Sequence, residues 1–283
     1  CLREGKEKRR RKSGGRTDAH RALMKITSET LEQSGHQLHR LILKPAGSSR
    51  GTLIFFHGQG DFIDRYPPIL EPFTDNGLTC ILTDLPGHGR SSGKRGHVPG
   101  LKFIDQLLDN VLVATKGSCH IAGHSMGGMM ALRCFLRDPS RFQSAWFSSP
   151  LLAPARQTTP CMSLVLPKVA RLFPWITWST GVSSEQCRNG GSSEPDDKPL
   201  CHNKISLGWA RDLIAVGQEF ESRFQSMATD RPILFTQGGA DPVCTPEILR
   251  SRLVKLPSNQ ITYREITDAL HEPFMGDRYL IHI

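Results

Sequence analysis

Cys119-His120-Ile121-Ala122-Gly123-His124-Ser125-Met126-Gly127-Gly128 runs from a short apolar stretch, through a serine framed by glycines, into the Met/Ala/Leu-rich segment that begins at Met129. The stretch before Gly123 has the length and continuity of a strand buried on both faces of a parallel sheet. The residues after Ser125 carry helical spacing, so the serine falls at a strand-to-helix turn. A G-x-S-x-G turn of this kind holds its serine in a strained conformation with the hydroxyl exposed, and side chains at the flanking positions would clash. Gly123, Gly127 and Gly128 supply the room, which makes Ser125 the candidate nucleophile.

Working outward, similar apolar runs return at Thr52–Phe56, Leu78–Leu82, Ala145–Phe147, Ile233–Phe235 and Ile261–Ile266. Segments of helical period separate them: Tyr66–Asn76, Leu101–Ala114, Met126–Arg137 and Pro246–Leu256. Strands alternating with helices of this length predict an α/β class fold, a mostly parallel, doubly wound sheet. Ahead of it, Ile26–Glu32 and His36–Leu43, broken at Ser34-Gly35, read as a hairpin.

The alternation lapses after Pro150 and resumes past Ala228. Two helical segments there flank a Ser/Gly/Asp-rich stretch from Ser179 to Asp197. The expected organisation is a core of residues 22–149 and 229–283 with an inserted helical cap, or lid, at 150–228. The second cap helix carries Trp209, Leu213, Val216, Phe220 and Phe224 on one stripe. The first, from Leu164 through Leu172, Phe173 and Trp175 to Trp178, is apolar on more than one face. Packing of the cap on the core accounts for part of this surface. The surplus predicts an apolar slot for substrate, with Leu172, Phe173, Trp175, Trp209 and Leu213 as its candidate lining.

A serine hydroxyl needs a base within hydrogen-bond reach and an acid that holds the base in the right tautomer. Asp241 follows the strand Ile233–Phe235 in Gly238-Gly239-Ala240-Asp241, and His271 follows the strand Ile261–Ile266. Both loops leave the carboxyl ends of their strands, the edge where open α/β sheets place their sites, so Ser125, Asp241 and His271 can converge. Asp268 competes with Asp241, but lies too near His271 on one loop to orient its ring easily. His57, His88, His97 and His124 precede or touch the nucleophile, whereas the chain order of this elbow places the base last. Two backbone N–H groups are expected to form an oxyanion hole: that of Met126, and that of Gln59 in His57-Gly58-Gln59-Gly60, for which a plain turn is the alternative. This chemistry requires no metal or organic cofactor.

Composition narrows the function classes. Residues 1–21 hold nine Lys/Arg against three Asp/Glu, so six of the net +9 charges sit in a basic tail expected to be disordered, and no specific nucleic-acid face is expected. No run of about 20 apolar residues is present. The reading is a cytoplasmic protein, with peripheral membrane contact through the cap or the tail as an option. The first residue, Cys1, reads as a truncation rather than a processed lipoprotein. Cys161, Cys187 and Cys201 with His202 admit a disulfide or a weak metal site, though unpaired thiols fit better. Gly87 to Lys94 lacks the spacing and the Ser/Thr of a phosphate-binding loop.

Several motifs together resemble one family, the capped hydrolases that include monoacylglycerol lipases, bacterial lysophospholipases and serine aminopeptidase-like proteins. His57-Gly58-Gln59-Gly60-Asp61 with Arg65-Tyr66 is similar to H-G-x-G-E-x-x-x-R-Y, and Asp84 to Gly93 is similar to D-x-x-G-H-G-x-S-x-G. Gly123 to Gly128, Gly239-Ala240-Asp241 and His271-Glu272 fall where the family has its elbow, acid and base. The resemblance implies an α/β-hydrolase fold. It also implies a serine hydrolase that cleaves carboxylic esters of single-chain lipids, a monoacylglycerol or lysophospholipid, through an acyl-enzyme. The alternatives are an aminopeptidase or amidase with the same triad, and a non-catalytic ligand-binding protein on a hydrolase scaffold.

Overall fold

In a computed structural model, the described residues are 24–115, 117–153, 167–188, 199–225, 230–256 and 259–274. The basic tail and Cys161 lie outside them. The strands are β1 (Lys25–Gln33), β2 (His36–Lys44), β3 (Gly51–Phe56), β4 (Leu78–Thr83), β5 (Ser118–His124), β6 (Ser144–Ser148), β7 (Thr177–Ser179), β8 (Lys204–Ser206), β9 (Ile233–Gly238) and β10 (Ile261–Ile266). The α-helices are α1 (Pro67–Asp75), α2 (Leu101–Ala114), α3 (Met126–Arg137), α4 (167–172), α5 (Ser184–Cys187), α6 (Leu207–Gln225) and α7 (Pro246–Leu253).

Eight strands form one sheet in the order β1-β2-β4-β3-β5-β6-β9-β10. The β1–β2 hairpin turns at Ser34-Gly35 and pairs antiparallel, as does β2 with β4; every other neighbour is parallel. Parallel strands end at one edge. The register sets Phe56 beside Gly123 and Gly238 beside Ile266, so the loops that follow β3, β5, β9 and β10 leave the sheet together. Every residue of β3 is buried, as its unbroken apolar run requires.

Two apolar layers sandwich the sheet. On one face, α2 (Leu107, Val111), α3 (Met129, Phe135) and α6 (Trp209, Phe220) pack on Ile121, Phe147 and Phe235. On the other, Ile69 and Leu70 of α1 join Phe55, Trp146 and Phe274. Each helix turns toward the sheet the stripe that its 3.6-residue period brings to one side.

Between β6 and β9 the described residues depart from the expectation of two helices. Residues 164–166 of the apolar stretch ending at Trp178 lie outside the described residues; from 167 the stretch is helical to 172, and its end is the strand β7, antiparallel to β8. Pro174 stops a helix because it lacks an N–H and clashes with the preceding turn. The residues after it, Ile176-Thr177-Trp178, are β-branched and aromatic, which suits a pleated strand. The second helix forms as α6, and its whole stripe, Trp209, Leu213, Val216, Phe220 and Phe224, is buried in the main core.

Candidate active site

Ser125 stands between β5 and α3 at φ 55° and ψ −120°, a left-handed conformation that a residue with a side chain adopts only when its surroundings impose it. Two constraints are visible. The Ser125 N–H donates to Ser148 O at 2.9 Å, and α3 begins against the loop after β3. A Cβ added to Gly127 would lie 2.1 Å from Phe56 O, and one on Gly123 would lie 2.3 Å from Gly127 O, so only glycine permits the helix to start this close to the strands.

Three groups from three loops meet at this hydroxyl. Ser125 Oγ lies 2.8 Å from His271 Nε2, and His271 Nδ1 lies 2.8 Å from Asp241 Oδ2. A carboxylate only accepts, so Nδ1 carries the ring proton and Nε2 is left as the acceptor facing the serine. Asp241 is held in turn: Oδ1 accepts from the N–H groups of Val243 and Cys244 at 2.8 and 2.9 Å, and Oδ2 from Gln237 Nε2 at 2.9 Å. Gln237 Nε2 also donates to Cys244 O at 2.8 Å, which ties β9 to the acid loop. All three members of the constellation are at most 9% exposed.

Among the described residues, the competing histidines have other contacts. His57 donates from Nδ1 to Gly58 O at 2.8 Å and accepts Leu85 N–H on Nε2 at 3.0 Å, so both nitrogens are committed in the neutral ring. Burial drives its pKa down, although Asp61 opposes that shift. His124 lies against the His271 ring at a centroid distance of 4.8 Å; burial, with His271 adding to it, holds it neutral. His97 bonds Ser206 Oγ. His202 meets Gly87 O, and burial lowers its pKa to about 4.

Each oxyanion candidate is the chain neighbour of a residue at the elbow. Met126 is the first residue of α3, a position whose N–H has no carbonyl to bond within the helix. Gly58, next to Gln59, is packed so near that a Cβ on it would lie 3.5 Å from Ser125 Cβ. The five candidate lining residues do not form one group. Trp209 and Leu213 are buried in the core against α3, whereas Leu172, Phe173 and Trp175 lie on the surface at 68%, 46% and 50% exposure. Cys187 is a free thiol, and burial pushes its pKa up to about 12. Among the described residues, no three His, Cys, Asp or Glu side chains are grouped to hold a metal.

A buried ion cluster beneath the base is what sequence reading missed. Arg65 bonds Asp61 Oδ1 and Glu272 Oε2, each at 2.6 Å, and Tyr66 OH donates to Asp61 Oδ2 at 2.5 Å. Burial favours the neutral Asp61 carboxyl, but Arg65 and the Tyr66 hydroxyl outweigh it and hold its pKa below the ordinary value. Asp61, Arg65 and Tyr66 stand out in the sequence only through their resemblance to the motif H-G-x-G-E-x-x-x-R-Y. Their link to Glu272, the neighbour of the base, does not.

A mostly parallel eight-stranded sheet, a strained serine elbow and a Ser-His-Asp constellation at the carboxyl edge define an α/β-hydrolase. The chain belongs to the family described as Serine aminopeptidase, S33, whose model matches residues 47–278. It is 27% identical over 242 residues to a monoacylglycerol lipase of Mycolicibacterium smegmatis, covering 81% of this chain and 84% of that protein. An uncharacterized abhydrolase domain-containing protein of Dictyostelium discoideum is 27% identical over 82% of this chain, which spans only 26% of that protein's length. The crystal structure of Paleococcus ferrophilus monoacylglycerol lipase superposes with a TM-score of 0.75 at 25% identity, covering 86% of this chain and 94% of that one.

Proposed function

We propose that this carboxylic ester hydrolase cleaves esters of single-chain lipids, a monoacylglycerol or a lysophospholipid, through an acyl-enzyme intermediate. One observation carries the reading: Ser125 Oγ, His271 Nε2 and Asp241 Oδ2 form a continuous chain of 2.8 Å contacts at the mouth of the sheet. In the proposed mechanism, His271 takes the Ser125 proton as the hydroxyl attacks the ester carbonyl, while Asp241 stabilises the imidazolium that forms. The N–H groups of Gln59 and Met126 hold the oxyanion, His271 returns its proton to the leaving alcohol, and water releases the acid by the same steps in reverse. The lipid assignment is supported by the monoacylglycerol lipases to which the chain is similar.

An aminopeptidase would use the same triad and needs a carboxylate to bind the substrate's α-ammonium. The carboxylates of Glu272, the neighbour of His271, and of Asp61 are both engaged by Arg65, which favours the ester. The expected result is that a fluorophosphonate probe labels Ser125, and that a monoacylglycerol is hydrolysed at least about 10²-fold faster, in kcat/KM, than an amino-acyl anilide. The opposite preference would transfer the assignment to the amidase.

The segment 150–228 is proposed to act as the cap, and the part of it exposed at Leu172, Phe173, Trp175 and Ile176 to rest on the surface that carries the substrate. No helix among the described residues is long and apolar enough to cross a membrane. Co-sedimentation with phosphatidylcholine vesicles containing monoacylglycerol should be lost in the double variant Phe173→Ser/Trp175→Ser, with activity on a soluble short-chain ester retained. Undiminished vesicle binding would place the contact elsewhere.

A further inference from the structure

Of the two residues proposed to hold the oxyanion, Gln59 comes from the loop after β3 and Met126 from the start of α3, yet their side chains converge on one indole. Trp209 Nε1 lies 3.1 Å from Gln59 Oε1 and 3.1 Å from Met126 Sδ. The other end of the Gln59 amide donates from Nε2 to Lys204 O at 2.7 Å. A backbone carbonyl only accepts and an indole N–H only donates, so the amide has a single orientation that satisfies both. Trp209 is itself fixed: it is fully buried, its backbone N–H meets Ser206 Oγ at 3.3 Å, and its indole packs in the layer shared with α3. The neighbouring Gly208 sits so close to Pro174 that an added Cβ would lie 2.8 Å from Pro174 Cβ. The inserted segment therefore grips Gln59 at two points, β8 and α6, and the same α6 indole touches Met126.

We infer that Trp209 is a positioning residue for the oxyanion hole, which it sets by anchoring the Gln59 and Met126 side chains. The inference rests on the reading of the site given under Proposed function. Oxyanion donors act only when aimed at the place where charge develops, and a displacement of about 1 Å can cost on the order of 10²-fold in rate. Gln59 precedes Gly60, which stands at φ 76° and accepts the His202 N–H at 2.9 Å, so the turn is held by its backbone on one side and by both ends of the Gln59 amide on the other. A residue with only a packing role would support the ground-state and transition-state complexes alike. Trp209, acting through the oxyanion donors, supports the transition state selectively.

Trp209→Phe in the full chain retains an aromatic ring and removes the donor. With p-nitrophenyl butyrate, kcat is expected to fall about 10-fold with KM changed by no more than about twofold. Inhibition by a trifluoromethyl ketone, whose adduct with Ser125 carries the oxyanion, should weaken by a similar factor. Gln59→Leu breaks the same contact from the core loop and should reproduce the loss, and the double variant should lose no more than the larger single. A wild-type kcat in Trp209→Phe, or losses that multiply in the double variant, overturns the inference. If Trp209→Phe fails to fold, Gln59→Leu decides alone, a wild-type kcat again overturning it. Ser125→Ala separates the two levels: an active Ser125→Ala removes the reading of the site, whereas an inactive one beside an unaffected Trp209→Phe removes only the role of Trp209.

Discussion

Ser125→Ala is expected to lower kcat on a short-chain ester by about 10⁵-fold or more, with folding intact. The magnitude follows from what remains. Deleting the nucleophile of a triad costs on the order of 10⁶-fold elsewhere, and the oxyanion donors and binding surface still supply roughly 10³- to 10⁴-fold over water. The removed atom is one hydroxyl oxygen, 2.8 Å from His271 Nε2, and the Ser125 N–H bond to Ser148 O survives the change. Alanine meets the same φ of 55° with the same Cβ, so the elbow carries no added backbone strain. Initial rates on p-nitrophenyl butyrate, with thermal unfolding of both proteins as the control, measure the effect. Substantial retained activity with an unchanged melting temperature would move the nucleophile to another residue.

Arg65→Ala is expected to destabilise the fold by about 3–5 kcal/mol, the cost of breaking a buried ion pair from one side. Its guanidinium joins two carboxylates, and Asp61 and Glu272 are only 7% and 8% exposed. Without the cation, Asp61 is left without an ion-pair partner among the described residues and Glu272 keeps only Arg188 at 3.9 Å, in a medium that solvates both carboxylates poorly. At roughly 2–4 °C per kcal/mol for a protein of about this size, the melting temperature should fall by on the order of 10 °C. The loss should also depend on pH. In the intact protein, Asp61 has a depressed pKa, so the stability it contributes is present above its unfolded pKa and is lost as pH falls through the folded value. In Arg65→Ala, burial dominates and the Asp61 pKa rises, a change that penalises the fold at neutral pH and relaxes on acidification. The difference in melting temperature between the two proteins should therefore narrow from pH 8 to pH 5. The triple variant Arg65→Met/Asp61→Asn/Glu272→Gln, which removes the charges together, should regain most of the stability. A constant difference across this pH range would mean that lost packing, not stranded charge, sets the cost.

The same cluster lies beneath the reacting groups. Glu272 is adjacent to His271, and its N–H donates to Cys187 O of α5 at 2.8 Å. The base loop is thus braced by the core through Arg65 and by the inserted segment through α5. Trp209 and Gln59 make the corresponding brace on the side proposed to hold the oxyanion. Both halves of the site consequently touch the segment between Pro150 and Ala228, although its helices and strands supply no member of the Ser-His-Asp constellation.

Contiguous pattern was enough to read the alternating strands and helices, the elbow at Ser125 and the loops bearing Asp241 and His271. Each of these features is written in a few neighbouring residues: an apolar run too short for a helix, glycines where a side chain would clash, an acid or imidazole just past a strand's end. Parallel pairing then brings those strand ends to one edge without further information. Folding alone decided that Pro174 would hand part of the expected helix to β7, that the α6 stripe would be spent on the core, and that Arg65 would bridge Asp61 to Glu272. Folding likewise decided that Trp209 would join Gln59 to Met126. These outcomes depend on which distant groups come to share one desolvated space, where an unmatched charge or donor is costly, and no local window of the chain contains both partners.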